Sequence, residues 1–439
     1  MRTLLAFVPE RRLAGALAVA AILWLVPGGA ALGAGALALV GVAVFIEIVR
    51  LPARGTFVLE RTAPQSLGLG DDATMTYRLM NASGTAVHVV VQDRLPTCVA
   101  GGLGVSSHDV PPRSTLNVPV PLRGVRRGEE PLGPVGARLT TSWGLIGSRV
   151  RVAPTDTVRV VPSVAGVRRF RLLSLQHRLD TAGVRNLRRR GEGQGFAGLR
   201  EYALGDDPRH IDWKATAKRS KLITREFTIE RSQTVLTLID AGRGMTQLAG
   251  EFSRFEQALS SALILTDVAA AAGDRVGSLV FDDQIRAFVP AQRSRGSLRA
   301  VRDAFVPVTA SPREPDYAAA FRFLATHQRK RALVVFYTDV LGVRASRALL
   351  AHVARSSSRH LVLVVALRND PLFALAVPDA VTSSARLYEH ASAAELLESR
   401  EEALERMRRA GAIVLDVSPR AMTASVINRY LELKGRGAL

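Results

Sequence analysis

Between Leu13 and Val49 the chain carries one charged side chain, Glu47. No other feature limits the fold as much. As helix, this run of about 37 residues is about 55 Å long, and one bilayer crossing needs about 20 apolar residues. Pro27-Gly28-Gly29 breaks it near the middle, since proline cannot continue a helical ladder and glycine permits a turn. The expectation is a transmembrane helical hairpin, with Ala30 to Val49 the better span and Leu4 to Val8 available to lengthen the first. A processed signal peptide would give way to polar sequence, whereas hydrophobicity here continues through Ile48. Arg2, Arg11 and Arg12 precede the run, Arg50, Arg54 and Arg61 follow it, and the turn is uncharged. The positive-inside rule then puts both ends and the bulk of the chain in the cytoplasm, as a multi-pass protein of the inner (plasma) membrane. A single span with an amphipathic N-terminal arm would instead put the body outside.

Beyond the run, the pattern divides the chain into a membrane anchor (1–51), a β-rich domain (52–163), a basic connector with a signature segment (164–232) and an α/β domain (233–439). Short alternating runs such as Thr74 to Leu79, Val87 to Val91 and Leu116 to Val120, separated by turn residues, predict an antiparallel, Ig-like β-sandwich. His88 reads as a strand-face residue and His108 as a loop residue. From Gln233 onward, unbroken apolar runs (Val235 to Ile239, Val276 to Phe281, Ala332 to Phe336, Leu361 to Val365, Ala412 to Leu415) alternate with helical stripes. That alternation predicts a doubly wound parallel sheet covered on both faces. Ser392 with Glu395 has capping-box spacing, and Ser418 is placed to cap the final helix.

Lys+Arg number 59 against 39 Asp+Glu, a net charge of +20. Such a balance suits nucleic acid, an anionic membrane surface or solubility. Aromatics at 5% are scarce for base stacking and no nucleic-acid motif is present, so nucleic-acid binding is the weakest reading. Much of the charge crowds the connector between Arg168 and Arg190, where it suits contact with anionic membrane lipid or a solvated face. Gly193 to Gly198 spells a dinucleotide-binding pattern, but a triple-arginine run stands where its strand belongs. The single cysteine, Cys98, excludes an internal disulfide and reads as an inert buried thiol. There is no P-loop, so ATP-driven work would come from another protein.

The densest motif is Arg200-Glu201-Tyr202-Ala203-Leu204-Gly205-Asp206-Asp207-Pro208-Arg209-His210-Ile211-Asp212-Trp213, continuing to Arg219. Arg200, Arg209 and Arg219 face enough carboxylates in Glu201, Asp206 and Asp212 for a knot of ion pairs. The segment resembles the hallmark of the domain-of-unknown-function family 58, R-E-Y-x-x-G-D-x-x-R-x-I-x-W. Arg127-Gly128, Trp143-Gly144-Leu145 and the α/β half extend the likeness. The resemblance implies a membrane-anchored, non-enzymatic interaction protein that works with a MoxR-type AAA+ ATPase in a chaperone-like or envelope-assembly role. It also implies a C-terminal domain like the von Willebrand factor A domain, and no required cofactor. The competing reading is a hydrolase using Glu201, Asp206 or Asp212 as an acid/base pair.

Ligands of doubly wound sheets sit at the carboxyl ends of strands, where Asp240 and Asp339 fall. The A-domain pattern there is D-x-S-x-S, a middle-loop threonine and a later aspartate, which hold Mg²⁺ or Mn²⁺. This chain reads Asp240-Ala241-Gly242-Arg243-Gly244, with glycine at both serine positions and Asp316 near the threonine's place. Asp240, Asp339 and Asp316 are therefore candidate ligands of a degenerate Mg²⁺ or Mn²⁺ site. The alternative is a metal-free site in which Asp240 caps a helix or pairs with Arg243.

Overall fold

The computed structural model describes residues 6–53, 55–152, 156–163, 190–203, 208–219, 221–228, 233–293, 296–340, 346–376 and 384–436. The chain divides into one unit of Met1–Ser163 with Phe305–Pro307 and a second of Val164–Ala304 with Val308–Leu439.

In the first unit, helix α1 (Arg11–Leu25) and helix α2 (Ala30–Arg50) flank the break at Pro27 to Gly29. Gly28 adopts φ +77°, a left-handed conformation that glycine accepts without strain. The two helices pack closely: a Cβ on Gly33 would lie 2.9 Å from the Trp24 backbone. Only Ala20, Gly33 and Glu47 are buried in this pair; Leu13, Leu23, Val40, Val44 and Ile46 are half-buried, and most other apolar side chains are exposed. Among the described helices α2 alone is long and apolar enough to cross a membrane. Of the stretch expected to lengthen α1, Leu4 and Leu5 lie outside the described residues, and Ala6 to Val8 do not extend the helix. Ala6–Pro9 is instead a strand, paired antiparallel with Ile146–Val152.

That pairing adds an edge to a five-stranded sheet, in spatial order Ala6–Pro9, Ile146–Val152, Val135–Thr140, Val87–Asp93, Val105–Val110. A four-stranded sheet runs Phe57–Thr62, Asp72–Asn81, Ser114–Gly124, Val99–Gly101, and a three-stranded sheet Ser66–Gly68, Thr157–Val161, Gly128–Pro131. The alternation in sequence becomes alternation in burial: Met75, Tyr77 and Leu79 point inward from one sheet, Val87, Val89 and Val91 from another. Inside this core Arg61 pairs with Asp93 (3.0 Å), which also accepts from the Tyr77 hydroxyl. Cys98 is fully buried, and burial pushes its thiol pKa up. His88 stands on a strand face, where it pairs with Asp109 across to the next strand. His108 lies in that same neighbouring strand and not in a loop.

The second unit holds a six-stranded sheet in the order Ile285–Gln292, Arg275–Phe281, Thr234–Asp240, Leu333–Thr338, Leu361–Leu367, Ile413–Val417. In chain order this is 3-2-1-4-5-6, a doubly wound arrangement whose direction reverses between the first and fourth strands. All neighbours are parallel except the edge strand Ile285–Gln292. Sequence periodicity missed that strand because it is half-exposed and contains Pro290, as edge strands tolerate. Leu236, Leu238, Val334, Phe336, Val362 and Val364 pack on one face under helices Tyr317–His327, Arg347–Ser357 and Ser384–Arg409. Helices Arg254–Ala271 and Pro419–Gly435 meet through Ile264 and Ile427. Asp274 clamps the last helix, accepting from Tyr430 (2.6 Å) and Lys434 (2.7 Å). The helix containing Ser392 begins at Ser384, so Ser392 is interior and not a cap, because nothing in residues 384–391 breaks the helix. Ser418 is the N-cap residue of the final helix, without a side-chain capping bond.

Candidate functional site

Asp240 ends the first strand and Asp339 follows the fourth, at the point where strand order reverses. Both carboxylates are buried, and each is held by the protein itself. Asp240 Oδ1 accepts from the Gly242 amide (2.7 Å), and Oδ2 accepts from the hydroxyls of Thr338 (2.8 Å) and Tyr317 (3.1 Å). Burial raises its pKa to about 6 against these bonds, with the charge on Asp339 adding to the rise. Burial and the neighbouring Asp240 charge push the Tyr317 hydroxyl far upward, so it stays a proton donor.

Asp339 pairs with Arg254, Nη1 to Oδ2 2.7 Å, both side chains at or below 5% exposed. Burial raises the Asp339 pKa, opposed by the charges of Arg254 and Arg400. Arg254 is the first residue of a helix whose N-cap, Ser253, accepts from the Glu256 amide. A cation is unfavourable at a helix N-terminus, so its placement there needs a carboxylate close by. That conflict was the one available sequence signal for Arg254, and periodicity does not register it. The pattern continues along the rim: Arg400 pairs with Asp416 (3.0 Å), which also takes Arg368 (3.1 Å). Acids at the ends of two strands are thus matched by arginines.

The three candidate metal ligands are not brought together. Asp316 caps the helix Tyr317–His327, accepting from Ala319 N (2.8 Å), and the adjacent Tyr317 reaches Asp240 in its stead. A Cβ on Gly242 would lie 2.8 Å from Pro315 Cδ, and one on Gly244 3.0 Å from Asp339 Cβ, so serines would crowd both positions. Arg254 supplies a positive charge beside Asp339. This donor set does not fit a hydrated divalent cation, which needs several free oxygens in octahedral array. Among the described residues no group of three or more His, Cys, Asp or Glu is placed to hold a metal. Arg243 pairs on the surface with Glu314 (2.9 Å) and not with Asp240. Beside the rim lies a cleft of about 290 Å³, lined among others by Leu248, Arg254, Arg368, Asp370, Pro419 and Arg420.

The signature segment forms a separate small structure. Arg190–Glu201 and Ile223–Thr228 make an antiparallel ribbon, so the glycines of 193–198 lie in a strand that leads into no phosphate-binding helix. The Tyr202 amide donates to the Leu222 carbonyl. Glu201 pairs with Lys221 (2.9 Å), both well exposed, so this pair is solvent-facing and not part of a buried knot. Asp212 caps the helix Trp213–Arg219 through the Ala215 amide (3.0 Å). Arg200 donates to the Glu201 carbonyl, Arg209 is exposed, and Trp213 is 69% exposed. Gly205 and Asp206, and the Arg219 side chain, lie outside the described residues. Glu201 and Asp212 are thus each engaged in a structural contact.

Residues 198–380 match the family model described as protein of unknown function DUF58. Uncharacterized proteins of Mycobacterium tuberculosis and Mycobacterium bovis are each 25% identical over 181 residues, 40% of this chain and 55% of theirs. The chain therefore spans about half the length of the curated relatives it matches. Trypsin-activated alpha-2-macroglobulin from Escherichia coli aligns with 24% of this chain and 7% of its own at 12% identity and a TM-score of 0.19. Salmonella alpha-2-macroglobulin reacted with methylamine aligns over the same shares at 14% identity and the same score. Superpositions that loose have no bearing on the fold. What the sequence match does establish is a DUF58 family domain at residues 198–380, running from the signature ribbon through five strands of the parallel sheet.

Proposed function

We propose that the chain is a membrane-anchored, non-enzymatic interaction protein whose C-terminal domain, of von Willebrand factor A type, docks a protein partner at the carboxyl rim of its sheet. The observation that carries this reading is the engagement of Asp240 and Asp339 with Gly242, Thr338, Tyr317 and Arg254. An acid or base in catalysis needs a proton path to a substrate, whereas Asp240 is engaged by three donors inside the protein and Asp339 is held in a buried ion pair with Arg254. Arg254 supplies charge compensation that an A-type site would draw from a metal. The resemblance points to a MoxR-type AAA+ ATPase as partner. No observation favours the hydrolase or nucleic-acid readings.

The sheet pairing supports the hairpin topology. Ala6–Pro9, before α1, pairs with Ile146–Val152, after α2. If α2 crosses a bilayer, the chain before α1 is on the same side as the chain after α2, so α1 crosses back. The flanking arginines support a cytoplasmic location for that side. Co-purification of the full chain in detergent with the ATPase, weakened by Leu248→Asp and Arg420→Glu at the rim cleft, is the expected outcome. Undiminished recovery with both variants, or no recovery with the unmodified chain, refutes the docking.

A further inference from the structure

The one charge in the apolar run has a specific job. Glu47 is fully buried, and its carboxylate accepts four hydrogen bonds from a single loop: the Thr141 hydroxyl (2.5 Å) and the amides of Gly144 (2.8 Å), Leu145 (2.8 Å) and Ile146 (3.0 Å). Three successive amides turned onto one anion form a backbone nest. Gly144 makes the nest possible with φ +65°, a conformation that costs glycine nothing. The other helix grips the same loop: Arg12, in the first turn of α1, donates to the Trp143 carbonyl (3.1 Å). Glu10 pairs with Arg138 (3.1 Å), and its amide donates to the Leu145 carbonyl.

The loop is thereby pinned at the level of the near ends of both helices. Glu47 precedes the last residue of α2 by three positions, about 4.5 Å along the axis. Trp143, at the loop tip, remains 40% exposed, and the Arg50 guanidinium lies 5.1 Å from its ring centroid. An exposed tryptophan flanked by arginines, fixed at the end of an apolar helix, is the composition of a bilayer interface.

We infer that the Thr141 to Ile146 loop is a membrane foot, with the Trp143 indole set at the boundary of headgroups and acyl chains and Arg50 and Arg12 beside phospholipid phosphates. The inference rests on the reading that α2 spans the bilayer. The foot would hold the β-rich domain against the membrane in one orientation, where a flexible tether would leave it free.

The test uses full-length chain in nanodiscs containing phosphatidylglycerol and brominated phosphatidylcholine. Trp24→Phe with Trp213→Phe leaves Trp143 as the sole tryptophan, and Trp143→Phe with Trp213→Phe leaves Trp24, at the far end of α1. The expected result is Trp143 emission quenched at least twofold more by bromines near the headgroup than by bromines deep in the acyl chain, with Trp24 also quenched. Trp24 quenched and Trp143 unquenched overturns the foot while leaving the span intact. Both unquenched overturns the span and the foot with it. Should the substitutions disturb folding, hydroxyl-radical footprinting of the unmodified chain decides. Trp143 oxidised severalfold more slowly than the exposed Trp213 supports the foot, and equal rates refute it.

Discussion

Replacing Glu47 by alanine removes the acceptor for four donors at once. Hydrogen bonds to a charged group contribute about 1.5–3 kcal/mol each, and a buried donor left unpaired costs about 1–3 kcal/mol. Gly144 and Leu145 are half-buried and regain water when the carboxylate goes; Thr141 and Ile146 are buried and do not. Two dry, unpaired donors set the loss at about 4 kcal/mol. Glutamine keeps one oxygen, and each Glu47 oxygen serves two of the four donors, so Glu47→Gln loses about half as much. The opening free energy of the loop governs exchange of its amides, so about 4 kcal/mol reads out as about a thousandfold faster exchange. Hydrogen–deuterium exchange of the full chain in detergent, followed on peptides covering 141–152, measures this directly. The predicted order of protection is wild type, Glu47→Gln, Glu47→Ala. Protection in Glu47→Ala within tenfold of wild type would refute the nest.

Three further outcomes follow from the rim. The Asp240 pKa near 6 lies above the ordinary 3.8, so folding favours its protonated form. Its contribution to stability is complete below about pH 4 and lost as pH rises through 6, about 3 kcal/mol in all, with Asp339 acting in the same direction. Asp240→Asn removes that dependence, and urea unfolding at several pH values between 4 and 7 should show a shallower decline than wild type; identical slopes would contradict the assignment. Arg254→Ala strands the buried Asp339 charge and should destabilise the C-terminal domain by about 3–5 kcal/mol at pH 7, while Arg254→Met with Asp339→Leu recovers most of the loss. Thermal denaturation checks both, and a double variant no better than the single one argues against the pair. Introducing serines with Gly242→Ser and Gly244→Ser should yield no Mg²⁺ binding by calorimetry, because the added side chains meet Pro315 and Asp339; saturable binding would show that the rim accommodates a metal.

What could be read from the sequence was whatever short-range pattern specifies. The apolar runs of the parallel sheet announced themselves because strands covered on both faces have no polar side. The break at Pro27 to Gly29 needed only local backbone rules, and the apolar runs put Asp240 and Asp339 at strand ends, where the structure has them. Partners from distant segments were not legible. The acceptor Glu47 and the donors at Thr141 to Ile146 are almost a hundred residues apart, and Trp143-Gly144-Leu145 looked like a motif without a physical reason. Ala6–Pro9 is apolar enough to extend a helix, and only pairing with Ile146–Val152 makes it a strand. Asp316 and Tyr317 are adjacent, but the Asp316 carboxylate caps its own helix and the Tyr317 hydroxyl is the group that reaches Asp240. Arg254 and Asp339 are likewise far apart in sequence, and only the folded sheet brings them together.

The central claim, that the carboxyl rim of the C-terminal sheet is the docking face, is tested most directly by site-specific photo-crosslinking in cells. A photoreactive phenylalanine at the exposed Leu248, beside the rim cleft, should trap an AAA+ ATPase identifiable by mass spectrometry. The same group at Lys330, exposed near the amino end of the fourth strand, should trap none. No adduct at Leu248, or the same adduct at both positions, would contradict the account.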